Sequence, residues 1–373
     1  MSTRRKPGPS HWARIVTRLC LALAALNLLG ALAGGLARFG WQILPAPLAA
    51  QVLQEHGALL MAGFFASLIS LERALALHRG TWLPLLSGLA GLLAMAGFAA
   101  CAAWAWLLSS IGLCGLYLWA ARTRALSLPL AVEASGGAAL VWGALAYVLG
   151  NLEQARWAWS LFLLLTIVGE RRELMRLRPL PAWASQLFLF AWALLSLAAV
   201  LLMGPRAHWG AQLGWLLFGL LALWLLAFDL ARLQWRQSGW AGHTARCLMV
   251  GYGWLLAASA AGLSGQGGVG GVAWHLMWLG FVFAMVFAHV PIMLPVLLGL
   301  RPLYSAWALL PLGLMALSLL LRTFAVLTQR SDWLVWAGAG HGLALVSFVL
   351  IVALLCKAEA QRLTLALQKP RSR

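Results

Sequence analysis

Residues Trp274–Leu297, WHLMWLGFVFAMVFAHVPIMLPVL, decide how this chain is read: they form one apolar stretch, long enough to cross a membrane as a helix, that carries two histidines and two prolines. His275 and His289 stand 14 residues apart. In a helix that spacing sets them roughly 40° from a common face and about 21 Å apart along the axis, so one helix offers imidazole at two depths. Pro291 removes a backbone donor and crowds the carbonyl four residues back, and Pro295 repeats this a turn later, which predicts a bend just beyond His289. In lipid the carbonyls released in this way need other partners.

The rest of the chain has the same apolar character. Of its 373 residues 63% are hydrophobic and 10% charged, with a mean hydropathy of +0.87. A soluble globule is only about half apolar, so that class is excluded. About twelve apolar runs follow one another, near 13–34, 50–72, 82–101, 104–120, 127–149, 155–170, 181–203, 209–231, 245–265, 272–299, 302–324 and 333–356. The expected fold is an all-α polytopic membrane bundle of about twelve transmembrane helices. It forms a single integral membrane domain over 1–373, with a short N-terminal segment (1–12) and a basic tail (357–373). The first run, behind Arg4, Arg5 and Lys6, is long and is followed by further spans, so it reads as an uncleaved helix rather than a secretory signal.

The formal charge of +18 takes its meaning from its distribution. With alternate loops on opposite sides, Arg38, Arg156, Arg206, Arg322 and Arg330 fall on one side, and the remaining 22 of the 27 Lys and Arg fall on the side of both termini. This bias places both termini in the cytoplasm and the protein, as a multi-pass chain, in a bacterial inner membrane. The basic tail (Lys357, Arg362, Lys369, Arg371, Arg373) then meets anionic lipid head groups, and nucleic acid is not an expected partner. Many of the 22 Trp, among them Trp41, Trp82, Trp104, Trp157, Trp183, Trp209, Trp235 and Trp333, fall at span ends where amphipathic rings settle. The five Cys show no paired spacing, so neither a disulfide framework nor a zinc site is expected.

Three further features bear on function. His56 opens the second span, about 9 Å below the outer boundary, with Gly57 and Gly63 beside it. His341 lies about 12 Å below the same boundary in the twelfth span, flanked by Gly338, Gly340 and Gly342, a pattern that predicts close approach by a neighbour. His275 lies about 5 Å below it. Three imidazoles near one level on three helices point to a shared metal or haem, since unpaired they are costly to bury. Outer cations such as Arg38 and Arg322 are then candidates to pair with haem propionates. Nearer the inner face, Glu72, Glu133 and Glu170 read either as interfacial ion pairs or as a polar inlet toward His289. No GxGxxG, P-loop, HExxH or GxSxG motif is present.

Twelve spans with both ends inside and a second helix reading H-G-x-x-x-M-x-x-F (His56, Gly57, Met61, Phe64) resemble the catalytic subunit of haem–copper oxidases. That resemblance implies a haem near the outer face, with His56 and His275 as its ligands. The family's copper-binding histidines of helices six and seven have no counterpart, so its oxygen reduction is not implied. The chain also resembles the NnrS-like group of haem- and copper-containing membrane proteins, through HGALLMAGFF (56–65), GERRELMRL (169–177) and GFVFAMVFAHVPIMLPVLLG (280–299). This second resemblance implies a haem protein, with copper as a second metal, connected with nitric oxide or respiratory metabolism.

The reading is an integral membrane protein with a b-type haem on His56 and His275. His341 is an alternative ligand or second-metal site, and His289 a deeper metal or polar position. Two axial imidazoles suit electron exchange with a respiratory donor; one leaves a position for a diatomic gas. The alternative is a carrier with a broken-helix site at His289, Pro291 and Pro295. No reaction is assigned.

Overall fold

A computed structural model describes residues 11–41, 43–124, 126–268 and 270–368. The cluster Arg4, Arg5 and Lys6 and the tail residues Lys369, Arg371 and Arg373 lie outside them. Among the described residues there are thirteen helices and no strand, and twelve of the helices are long. These are α1 (His11–Ala37), α2 (Ala46–Leu77), α3 (Trp82–Met95), α4 (Ala99–Arg124), α5 (Leu128–Val148), α6 (Leu152–Leu174), α7 (Ala182–Met203), α8 (Ala207–Phe228), α9 (Gly239–Gln266), α10 (Ala273–Leu297), α11 (Ala306–Leu327) and α12 (Ser331–Gln368). Each of the twelve apolar runs corresponds to one of them. Ten are long and apolar enough to cross a membrane, so the chain is an all-α polytopic helical bundle.

The two exceptions have local causes. Helix α3 has 14 residues because Gly97, at φ +89°, turns the chain out of the helix and lets Phe98 N bond back to Leu93 O. The third run therefore stops short of its expected end at 101, and α4 starts at Ala99. Helix α6 has 23 residues but carries Glu153 and Arg156 at one end and Glu170 to Glu173 at the other. The tail also differs from expectation: residues 357–368 continue α12, with Lys357 and Arg362 exposed.

The chain forms two compact units, Met1–Leu126 with Gly137–Ala155, and Ser127–Gly136 with Arg156–Arg373. In the first, α1, α2 and α3 meet at Asn27, which is fully buried and donates from Nδ2 to the carbonyls of Leu23 and Gly88, both at 2.9 Å. Gly91 and Gly63 make room for it, since a Cβ on either would fall on the Asn27 amide. Helix α2 takes a π-turn over Leu59–Phe65, and within it the carbonyl of Ala62 accepts from Ser87 Oγ of α3 at 2.6 Å. Trp106 Nε1 donates to Ser87 O at 3.0 Å, adding α4. Polar bonds between helices replace the hydrophobic attraction that lipid cannot supply.

The second unit is held by a buried ion pair. Arg171 of α6 donates from Nε and Nη2 to Asp229, at 2.7 and 2.9 Å, Tyr252 of α9 donates to the same carboxylate at 3.0 Å, and Ala231 N donates to it at 2.7 Å. Asp229 thus has four donors on its two oxygens and no exposure. On a continuous helix Arg232, three residues on, would be the neighbour of Asp229. Instead the chain leaves α8 at Asp229 (ψ 145°), and Arg232 turns back to the carbonyl of Ala227. A second core element is aromatic: Trp157, Trp215 and Trp274 lie with ring centroids 4.6 to 5.0 Å apart. Trp157, expected at an interface, is 3% exposed, whereas Trp82, Trp104, Trp183 and Trp209 are more than half exposed. Two glycines near the end of α9 also serve this cluster, because a Cβ on Gly262 or Gly267 would strike the Trp215 ring.

Arg171→Ala and Asp229→Ala should each lower stability by about 3–5 kcal/mol, and the double variant should cost less than their sum, because each single change leaves one buried charge without its partner. Thermal unfolding in detergent measures both. Gly91→Ala should cost about 1–3 kcal/mol by displacing Asn27, with the loss smaller in an Asn27→Ala background.

Candidate functional site

The strongest constellation is on α10, α11 and α12 of the second unit. Helix α10 carries His275 where its winding changes, immediately before the π-turn Leu276–Val282. Such turns widen a helix locally and are frequent at functional sites. The indoles on either side hold this segment in place: Trp274 Nε1 donates to Gly267 O at 2.7 Å and Trp278 Nε1 to Ser160 Oγ at 2.8 Å.

His341 comes from α12, at a point where α11 and α12 are in close contact. A Cβ on Gly340 would stand 2.7 Å from Ser318 Cβ, so the glycine is needed for this approach. Ser318 Oγ then lies 2.7 Å from His341 Nδ1. The rings of His275 and His341 have centroids 6.5 Å apart and planes inclined by 22°. His341 is 6% exposed, and its Nε2 is buried without a hydrogen-bond partner. Arg322, four residues after Ser318 on α11, is equally buried. Arg330, another outer cation, lies outside the spans and pairs with Asp332 at 3.1 Å, which holds its guanidinium above the usual range.

Of the three histidines expected at one level, the structure thus brings His275 and His341 together. His56 belongs to the first unit, where its Nδ1 lies 3.0 Å from Leu53 O and 3.4 Å from Arg38 Nε. Arg38, expected to face a haem carboxylate, is directed at this imidazole. Beside His56, Glu55 is buried and accepts from the hydroxyl of Tyr147. Sequence reading missed Glu55, although a carboxylate next to the singled-out histidine was a visible signal.

His289, half-buried, has Nδ1 2.8 Å from Met285 O. The prolines beyond it do release a carbonyl: Pro291 cannot donate to Phe287 O, and His243 Nε2 of α9 takes that place at 2.9 Å, with Thr244 Oγ1 donating to Ala288 O at 3.2 Å. His243 has no exposed surface at all. Of the inlet carboxylates, Glu133 is buried against Gly169 and Glu170 acts on Arg171, both in the second unit, whereas Glu72 lies in the first beside Arg73 at 3.9 Å.

These contacts define what the residues can hold. Among the described residues, no group of three or more His, Cys, Asp or Glu is disposed to take a metal ion. The pair His275 and His341 offers two nitrogen ligands from two helices, with one nitrogen bare and buried. This fits a group that brings its own equatorial ligands.

No curated protein and no solved structure matches the chain. From residue 14 to residue 357 it matches the family model described as Domain of unknown function (DUF8744), and it belongs to that family.

Proposed function

We propose that the chain is an integral membrane haem protein whose iron is held by His275 and His341. The observation that carries this reading is the pairing of two imidazoles with centroids 6.5 Å apart and a buried, partnerless Nε2 on one of them. Two imidazoles this close on separate helices would hold one iron from two sides of the bundle wall. Two protein ligands complete iron only where a macrocycle supplies the other nitrogens, which supports a haem, of b type, over a bare ion. When bound, the group supplies one-electron chemistry with both imidazoles attached and a gas-binding position with one released.

The chain's own residues supply the rest. His341 presents the Nε2 lone pair, Trp274 and Trp278 steady the turn that bears His275, and Arg322 offers a buried positive charge for a haem carboxylate. The ligand pair proposed here replaces the pair His56 and His275 with two residues that one unit carries by itself. A role in the nitric oxide response or in respiratory electron transfer, within a bacterial inner membrane, is supported by the NnrS-like stretches and by the charge asymmetry of the loops. Copper, implied by the same resemblance, has His289 as its candidate ligand.

The absorption spectrum and the iron and copper content of detergent-purified protein from haem-replete cells test this. The wild type should show a Soret band that moves on reduction. His275→Ala and His341→Ala should each lower haem occupancy at least about tenfold, while His56→Ala and His208→Ala keep it. A colourless wild-type protein overturns the proposal and returns weight to a carrier built on the break in α10.

A further inference from the structure

We infer that Ser318 is the positioning residue of His341: its hydroxyl accepts the Nδ1 proton and thereby presents Nε2 as the bare, ligand-forming nitrogen. The second of the two readouts below rests on the haem reading. The assignment itself comes from counting protons. A serine hydroxyl has one proton, and Ser318 Oγ lies 2.9 Å from the carbonyl of Met315, which can only accept. With that proton committed, the 2.7 Å contact to His341 Nδ1 has to run the other way, from Nδ1–H to Oγ. A neutral imidazole has one N–H, so Nε2 is left as a lone pair. The opposite tautomer would bury an Nε2–H with nothing to receive it, since no partner lies within hydrogen-bond reach of that atom.

His56 and His289 have the same nitrogen turned to a carbonyl three or four residues back in their own helices, Leu53 O and Met285 O. Any helix provides that device unaided. His341 differs because its acceptor comes from a second helix, so its tautomer depends on how closely α11 and α12 pack. That distance is set by Gly340 against Ser318 Cβ. A buried acceptor on the far nitrogen of a ligating histidine fixes the ring and strengthens the donor nitrogen.

Two measurements on the full chain in nanodiscs test the role. In ¹⁵N-histidine-labelled protein, with the His341 signals identified by their loss in His341→Gln, the wild type should show a protonated Nδ1 and a bare Nε2. Ser318→Ala should give mixed or reversed tautomers, Ser318→Thr should restore the wild-type pattern, and Gly340→Ala should mimic Ser318→Ala by pushing the hydroxyl away. In haem-loaded protein, Ser318→Ala should weaken haem binding about 10- to 100-fold and raise the midpoint potential, with Ser318→Thr returning both. A wild-type His341 protonated at Nε2, or a Ser318→Ala variant with unchanged tautomer, overturns the assignment. Absence of haem from the wild type overturns the haem reading alone, and the tautomer measurement still decides the part played by Ser318.

Discussion

Hydrocarbon offers no water to a carbonyl, an imidazole or a carboxylate, so each polar group between the membrane faces has to find its partner inside the protein. Most of the packing described above follows from that constraint. Asp229 collects four donors from three stretches of chain, and Asn27 spends its amide protons on two carbonyls. Ser87 and Ser109 bond to carbonyls of neighbouring helices, and the carbonyl freed by Pro291 is met by His243. Each such bond needs backbones close together, which explains the glycines at 63, 91 and 340.

Among the buried side-chain atoms without a hydrogen-bond partner are two histidine nitrogens, His243 Nδ1 and His341 Nε2. The first is a by-product: His243 gives its single N–H to Phe287 O, so its other nitrogen is necessarily bare. His341 likewise gives its single N–H, to Ser318 Oγ, but its bare Nε2 has a different setting, with another imidazole 6.5 Å away, a π-turn next to that imidazole and a buried guanidinium on the adjoining helix. On the haem reading proposed above, that setting makes the bare nitrogen a ligand.

The proposed haem reading and a carrier make different physical demands on these helices. A carrier with a broken helix needs backbone carbonyls that are open to its cargo. Around Pro291 the carbonyls of Phe287 and Ala288 are bonded to His243 and Thr244 of α9. A pair of imidazoles on separate helices, by contrast, is what a flat cofactor with its own equatorial nitrogens requires.

Composition and apolar run length determined the class and number of the helices, because lipid demands about twenty apolar residues per crossing whatever lies nearby. The same logic made His56, His275 and His341 visible as oddities, and the glycines around His341 visible as a sign of close approach. Which histidines face one another could not be read in the same way. Depth along a helix follows from residue counting, but direction around it changes by about 100° per residue, and a π-turn such as Leu276–Val282 shifts it further. Ser318, Glu55 and the bond between Arg171 and Asp229 were hidden for a related reason, since their partners lie 23 to 92 residues away in the chain. Only the packing of α11 on α12, of α6 on α8 and of α2 on α5 decided which of these polar groups would meet.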